Sequence, residues 1–574
     1  MLEPNAAVFY DARPWRDHYG PGISPDLSPL DLASVDAVAR HSAAAYPRHP
    51  AHTVCLENGL HAALDFATVD RLADDFAAWL IGEAGLAPGD RVAIQMPNCL
   101  AYPVAVFGIL RAGGVVVNIN PLYTAGETRH QLRDSGARIL VIIDLFADKL
   151  PEATRETAVE RTLLVGIADL FPALRRLLIH TVLKIRREIP APPPGCERFS
   201  GALAAGRRLG PQPWPRSGGD DPALLQYTGG TTGVAKGAEL RHRHILANLA
   251  QMSAVAGSAI HPGEDVVLTA LPLYHIFAFT FNFLVFHYHG CHNILCPSPR
   301  PVSKLRKAFE RFPVTKFSGV NLLFYGLCQE AWFRERPPRT IDLSIAGGTA
   351  LHGSTAEQWH EVVGSPILEG FGLTETSPVL SVNPPHGENR LGTVGIPVPG
   401  CDVRIVDDNG RPVPQGECGE IVARGPQVFE GYWQRPDETA ATLRDGWFHT
   451  GDIGFMDADG YITIVDRKKD MIDVSGFNVY PNEVEERLAE HPDVLEVAVV
   501  GAPRGEAGET VVAFVVSRDG NLTEEALIVF ARERLTAYKV PQRIVFRNEL
   551  PKTPVGKLLR RALRDDARAA MLAE

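Results

Sequence analysis

Arg91-Val92-Ala93-Ile94-Gln95-Met96, directly after Pro88-Gly89-Asp90, reads as a short buried strand. On its C-terminal side, residues 101–110 read as a helix, 115–117 as a strand, 130–135 as a helix and 139–143 as a strand. Strands alternating with helices in this way predict a doubly wound, mostly parallel sheet. Upstream, residues 1 to about 45 are rich in Pro and Asp and are expected to wrap the surface, with a helical pattern over 34–45. A further helix is expected from Phe66 through Leu80, with Thr68 as its N-cap.

Residues 171–190 differ. Leu174, Leu177, Leu178, Val182 and Ile185 recur at helical spacing among Arg175, Arg176, Lys184, Arg186 and Arg187, and a proline-rich run from Pro190 ends the helix. Two readings stay open: a surface helix packed on the core, or a face for anionic lipid and so peripheral membrane contact through 171–190. Next, 240–252 is expected to be helical and 266–271 a strand. From about 380 to 465, short alternating segments are separated by Asp-Asn-Gly and Ala-Asp-Gly turns, which predicts antiparallel structure. From Lys469 the pattern is α+β, with helices over 483–490 and 524–535 and strands over 494–500 and 511–516. The expected fold class is α/β. A large N-terminal domain of doubly wound sheets plus a small distorted β-barrel would cover residues 1–468, and a small mobile α+β domain residues 469–574.

A chain of 574 residues implies two or more domains. Its composition, 45% hydrophobic and 22% charged, suits a soluble enzyme, and a net charge of −11 argues against a general nucleic-acid binder. The eight cysteines are scattered without a CxxC pair, so neither a zinc site nor a disulfide framework is predicted, and reduced cytoplasmic thiols are the simpler reading. Cys291 and Cys296 lie near His287, His289 and His292, but loose spacing in an apolar setting argues against a metal. The N-terminus predicts no signal peptide. The most apolar run, 276–286, is too short to span a bilayer and is interrupted by Asn282. The expected location is cytoplasmic, at most peripheral at the inner face of a membrane.

Tyr227-Thr228-Gly229-Gly230-Thr231-Thr232-Gly233-Val234-Ala235-Lys236-Gly237 carries the first chemical signal. Glycines let a backbone approach a ligand closely, and successive N–H groups and hydroxyls can cradle phosphate oxygens. The Walker A order is absent, since Ala235 precedes the lysine and Gly237 follows it. Alone, such a stretch also reads as a flexible surface loop. Further stretches follow: Leu271-Pro272-Leu273-Tyr274-His275-Ile276-Phe277; Ala346-Gly347-Gly348-Thr349; Glu369-Gly370-Phe371-Gly372-Leu373-Thr374-Glu375-Thr376; Trp447-Phe448-His449-Thr450-Gly451-Asp452; the run 466–481; and Pro551-Lys552-Thr553-Pro554-Val555-Gly556-Lys557. Singly, each has a plain reading: His275 as a core histidine, Asp452 as a turn residue, the charge run after Asp466 as solvated surface.

Together and in this order, over about residues 35–570, these stretches resemble the AMP-forming adenylating superfamily of acyl-CoA synthetases, luciferases and peptide-synthetase adenylation domains. The likeness is greatest to bacterial long-chain fatty-acid–CoA ligases. The resemblance implies ATP, Mg²⁺ and coenzyme A. It gives Thr228, Gly229, Gly230, Thr231, Thr232, Gly233 and Lys236 to the phosphates. Adenine would lie on Gly347, Gly348 and Thr349 and along Glu369, Gly370, Phe371 and Gly372, with Phe371 stacking on it. Thr374 would contact the α-phosphate, and Glu375 with Thr228 would hold Mg²⁺, a hard ion that takes oxygen ligands. Asp452, with Ile464 and Arg467, would take the ribose side. His275 would sit beside the acid's carboxylate, Lys469 would be the hinge, and Gly476 would line the pantetheine tunnel. Lys557 would be the catalytic lysine, placing charge between carboxylate and α-phosphate.

The activity so implied is ATP-dependent conversion of a fatty acid, expected to be long-chain, to an acyl-adenylate, then to acyl-CoA and AMP. Gly319 and Ala346-Gly347-Gly348 are small enough to leave a long tunnel open. Alternatives are a medium-chain or aryl acid, a carrier-protein thiol as acceptor, a luciferase-like oxidase, or an inactive nucleotide-binding module. Glu375 and Lys557 speak against the last.

Overall fold

The strand expected at 91–96 forms as Arg91–Gln95 and occupies the middle of a seven-stranded sheet. The computed structural model describes residues 6–228, 235–474, 477–503, 509–518, 520–553 and 558–572. Across this sheet the order is Glu197–Arg198, Arg161–Val165, Ile139–Ile143, Arg91–Gln95, Val115–Asn118, Pro222–Thr228 and Lys236–Arg241. Every neighbouring pair is parallel except the last. Val115–Asn118 and Ile139–Ile143 are buried at every position, as strands covered on both faces must be; their one polar side chain, Asn118, donates to Gln226 at 3.1 Å.

A second sheet has nine strands. Its interior, from Pro50–Cys55 to Ile367–Gly372, is parallel, and both edges are antiparallel. His61–Asp65 forms one edge; Val379–Val382 and the two-residue Ile396–Pro397 form the other. Helix Phe66–Gly82 touches the strands Pro50–Cys55 and His61–Asp65, and helix Ala101–Arg111 touches Arg91–Gln95 and Val115–Asn118. The two helices pack on each other, so they form a layer between the sheets. Ala101–Arg111 is buried all round, and its Arg111 is held by Asp70 at 2.6 Å and Asp74 at 2.9 Å.

Five strands between Asp402 and Arg467 build an antiparallel sheet in the region where short alternating segments predicted one. After it, an apolar cluster around Ile472, Val484, Val499, Leu527 and Ile544 forms a core separate from the large one, whose last members are Ile462 and Ile464. This C-terminal part carries the helices Pro481–Ala489, Glu524–Arg532 and Arg560–Leu572 on the strands Val494–Pro503, Glu509–Ser517 and Arg543–Phe546.

Several local expectations are corrected. The N-cap of Phe66–Gly82 is Asp65, whose carboxylate accepts the Thr68 N–H at 2.7 Å; Thr68 is already inside the first turn. Leu240 belongs to the strand Lys236–Arg241, and the helix starts at His242. Strands Val379–Val382 and Ile396–Pro397 extend the large sheet instead of the five-stranded one. Helix Ala173–Ile185 forms; of its two readings, the one that packs the five apolar residues on the core is not met, since they stand exposed while Ile179 and Leu183 pack on the core. Among the described residues, no helix is long and apolar enough to cross a membrane.

Helix Phe199–Leu209 crosses Phe66–Gly82 so closely that a Cβ at Gly206 would overlap the Asp75 carbonyl oxygen. Gly206→Ala is therefore expected to lower unfolding stability by about 2 kcal/mol, the usual cost of overpacking. Gly201, on the exposed side of the same helix with nothing nearby, is the control: Gly201→Ala should be neutral or stabilising by up to about 1 kcal/mol. Chemical denaturation of both variants checks the contrast.

Candidate active site

The antiparallel pair Pro222–Thr228 and Lys236–Arg241 brings Thr228 and Lys236 into register at the mouth of the glycine–threonine loop. Gly229, Gly230, Thr231, Thr232 and Gly233 lie outside the described residues. The Lys236 ammonium sits over the Tyr432 ring, 5.0 Å from its centroid. Segment 429–435 is laced to this hairpin: Ala238 bridges to Tyr432, and the Trp433 N–H donates to the Gly237 carbonyl at 2.8 Å. Asp134 ties the bundle, accepting from the Tyr227 hydroxyl and Arg435, each at 2.8 Å.

Glu375 reaches the same point from the other large sheet. After Ile367–Gly372 the chain makes a tight turn through Thr374–Thr376 and a left-handed Ser377, then returns as Val379–Val382. The return is so close that a side chain at Gly372 would overlap the Pro378 carbonyl. The Thr376 hydroxyl accepts the Leu373 N–H at 3.0 Å and fixes the turn. Thr374–Thr376 then packs on both strands of the 222–241 hairpin. The buried Glu375 carboxylate accepts the Tyr432 hydroxyl at 2.7 Å, and its carbonyl accepts the Phe429 N–H at 2.8 Å. Burial raises the Tyr432 pKa, which keeps the phenol protonated as a donor.

The strand ends Leu343–Ala346 and Ile367–Gly372 frame a slot. A Cβ at Gly347 would stand 3.2 Å from the Phe277 ring and 3.3 Å from the Gly370 carbonyl, so glycine is what lets these groups approach so closely. Gly348 is exposed; Thr349 and Phe371 are half-buried. Glu369 lies beneath, its Oε1 accepting the Leu351 N–H at 3.0 Å, and burial pushes its carboxyl up to about 7. The loop bearing His275 is tied in by Gln226, which donates to the Tyr274 carbonyl at 3.0 Å. The His275 Nδ1 accepts the Phe277 N–H at 3.3 Å. The following helix has π geometry over Ala278–Val285. The space beside Gly319 is taken by Leu323 and Phe324, each 3.1 Å from where a Cβ would stand.

Asp452 and Arg467 face each other across the pair Trp447–Met456 and Ile462–Arg467, Nε to Oδ1 3.0 Å, with Ile464 on the same strand. Lys469 follows; its carbonyl accepts from Arg564 at 2.9 Å. Gly476 and Lys557 lie outside the described residues. The structure thus joins Thr228, Lys236 and Glu375 through Tyr432, and Asp452 with Arg467. Sequence reading missed Tyr432; the aromatic pair Tyr432-Trp433, three residues past Phe429 in a polar connection, was the available signal. Among the histidines near Cys291, His287 stacks on buried His52, His289 meets the Ser253 hydroxyl at 3.0 Å and His292 the Thr53 hydroxyl at 2.7 Å. His261, Asp265 and Asp342 cluster elsewhere, with the Lys316 ammonium 3.0 Å from Asp265 and bonded to Asp342, where it supplies the positive charge.

Sequence comparison matches the AMP-binding enzyme family over residues 39–433 and the AMP-binding enzyme C-terminal domain over 483–557. The chain is 46% identical over 556 residues to a long-chain-fatty-acid–CoA ligase of Salmonella typhimurium, covering 96% of this chain and 98% of that protein. Among solved structures, the anthranilate CoA ligase AuaEII in complex with anthranoyl-AMP is similar at TM-score 0.82 and 26% identity, covering 95% of this chain and 99% of that one. ATP-bound MatB from Rhodopseudomonas palustris is similar at TM-score 0.80 and 28% identity, covering 93% and 99%.

Glu369 generates a pH prediction that needs no ligand. Its folded pKa, about 7, lies above the ordinary 4.5, so the folded state binds the extra proton. The stability this confers is complete below about 4.5 and is lost as pH rises through about 7, a change of up to about 3 kcal/mol. Glu369→Gln keeps the acceptor for Leu351 but cannot ionise. Thermal melts from pH 5 to 8 should show the wild type losing stability that the variant keeps; parallel curves would contradict the assignment.

Proposed function

This chain belongs to the AMP-binding enzyme family, and we propose that it is an AMP-forming fatty-acid–CoA ligase acting on long-chain acids. A carboxylate does not acylate a thiol at useful rates, because oxide is a poor leaving group. In the first half-reaction a carboxylate oxygen attacks the α-phosphorus of ATP, the bond to pyrophosphate breaks, and acyl-adenylate forms. In the second, the sulfur of coenzyme A attacks the acyl carbon and AMP leaves. The protein contributes positioning and charge stabilisation, with no covalent nucleophile of its own.

One observation carries this reading: Lys236, Tyr432 and Glu375 meet at the mouth of the glycine–threonine loop, in a chain related along nearly its whole length to curated long-chain-fatty-acid–CoA ligases. Mg²⁺, held by Glu375 and Thr228, would neutralise phosphate charge. A buried carboxylate that forms no ion pair among the described residues suits such a hard ion. We assign Lys236 and residues 228–233 to the phosphates, and the slot at Gly347, Gly348, Thr349 and 369–372 to adenine, with Phe371 against its ring. Thr374 goes to the α-phosphate, Asp452, Ile464 and Arg467 to the ribose side, and His275 to the acid's carboxylate. Lys557 serves adenylation and Gly476 the thiol tunnel, on a domain 469–574 that turns about Lys469 relative to 1–468. The enzyme works in the cytoplasm with peripheral contact at the inner face of a membrane. A second reading, an aryl or medium-chain acid, is favoured by Leu323 and Phe324 filling the space beside Gly319.

Pyrophosphate release across acids of graded length, with and without CoA, tests the reading. The rate should peak at long chains, and thioester should require CoA; a peak at aryl or medium-chain acids would favour the second reading. Glu375→Ala should fold and lose adenylation by about 100-fold. Tyr432→Phe should slow it by about tenfold and raise the Mg²⁺ requirement.

Lys557→Ala should lose acyl-AMP formation yet still convert supplied acyl-AMP and CoA to thioester. Lys469→Pro, with φ fixed near −65°, should retain adenylation better than thioester formation. Equal loss of both steps in both variants would contradict rotation about Lys469.

A further inference from the structure

Leu174, Leu177, Leu178, Val182 and Ile185 are between 39% and 81% exposed, and all five belong to the helix Ala173–Ile185. With 3.6 residues per turn they fall on one side, and Ile179 and Leu183, which pack on the core, fall on the opposite side. The helix is therefore seated with its wider apolar face toward solvent, the reverse of an ordinary surface helix. A contiguous exposed apolar face of this kind marks an interaction surface.

The flanks identify the partner. Residues 173–187 contain no Asp or Glu in a chain of net charge −11, and carry Arg175, Arg176, Lys184, Arg186 and Arg187. By helical position, Arg175 and Arg186 border one side of the apolar face and Lys184 the other. Arg175 and Arg176 donate to the carbonyls of His61 and Asp169, and Arg176 also acts on the Asp169 carboxylate; among the described residues Arg186 is the one of these bases within ion-pair distance of a carboxylate, Glu188 at 3.8 Å. We propose that this helix docks in the plane of an anionic phospholipid bilayer, its five apolar side chains entering the headgroup–acyl boundary and its bases lying among the phosphates. Its 13 residues span only ~20 Å, too short to cross a bilayer. A second copy of the chain is the poorer partner, because apposing this face to itself sets base against base. Docking deepens the peripheral contact in the proposed function and rests on that reading for its benefit, since an apolar acid partitions into the same bilayer.

Vesicle flotation tests the proposal on the full chain. The probes are phosphatidylcholine vesicles with and without phosphatidylglycerol, and ligase activity on a long-chain acid supplied bound to albumin, without vesicles, is measured in parallel. The protein should float with the anionic vesicles, less so as salt rises. Two variants, Leu174→Ser/Leu178→Ser/Ile185→Ser and Arg175→Glu/Lys184→Glu/Arg186→Glu/Arg187→Glu, should each lose binding by at least about tenfold with that activity unchanged. Leu178→Trp should shift its emission to the blue only with anionic vesicles. No flotation of the parent, equal flotation of all variants, or an unshifted Leu178→Trp would overturn docking. So would a lipid-free dimer that the serine variant dissociates, which would give the face to a second copy. Retained activity in any of these cases leaves the ligase reading standing, and activity lost from every variant and the parent alike counts against that reading alone.

Discussion

The hydrogen bond from the Tyr432 hydroxyl to the Glu375 carboxylate joins three sheets at one atom pair. Glu375 follows the last parallel strand of the nine-stranded sheet. Tyr432 lies in the connection between two strands of the five-stranded sheet and bridges to Ala238 on the seven-stranded one. Asp134 holds the far side of the same connection through Arg435 and the Trp433 indole. A buried polar network pins geometry only when its members are satisfied together. The precise placing of Glu375 therefore depends on residues distributed from 134 to 435, and a carboxylate left without its phenol would be a buried acceptor with one partner fewer.

The junction at Lys469 has a different character. Asp466, just before it, is almost wholly buried, and burial lifts its carboxyl to about 6. It accepts the Asn482 N–H at 2.8 Å and lies 3.7 Å from Arg560, both beyond the junction. Arg560 is in turn held by Glu485 at 2.7 Å. A turn about Lys469 would have to exchange the bonds that cross from Asp466, whereas Asp452 and Arg467 lie on one side and would keep theirs. Separating a buried pair without replacement is costly, so any second arrangement needs new partners for Asp466.

Much of this was legible in the sequence because the information was local. Residues 115–117 and 139–143 are apolar throughout, and such runs can only be buried strands in an alternating chain. The glycines of 346–349 and 369–376 were legible as backbone requirements, since a Cβ would press on neighbours at Gly347, Gly370 and Gly372 and Gly348 has φ +81°. What escaped was set by distant partners. Val379–Val382 pairs with Ile367–Gly372 through a turn stabilised by Thr376, and nothing in its own pattern distinguishes it from the antiparallel strands that follow. Tyr432 is one tyrosine among thirteen until Glu375 is brought to it. On Ala173–Ile185 the periodicity identified a helix with an apolar side, but which side meets the core is decided by the neighbours of Ile179 and Leu183, not by periodicity.

The two outer strands of the nine-stranded sheet have a consequence for solubility during synthesis. An unpaired strand edge offers a template on which another chain can add, the first step of edge-to-edge aggregation. Here one edge is a strand of two residues that ends in Pro397, a residue with no N–H to offer. At the other, the Arg175 guanidinium occupies the His61 carbonyl at the start of His61–Asp65. Truncation and proline guard one border and a borrowed cation guards the other, so a partly folded sheet that has not yet received the 173–185 helix is the species most open to mispairing with its own kind.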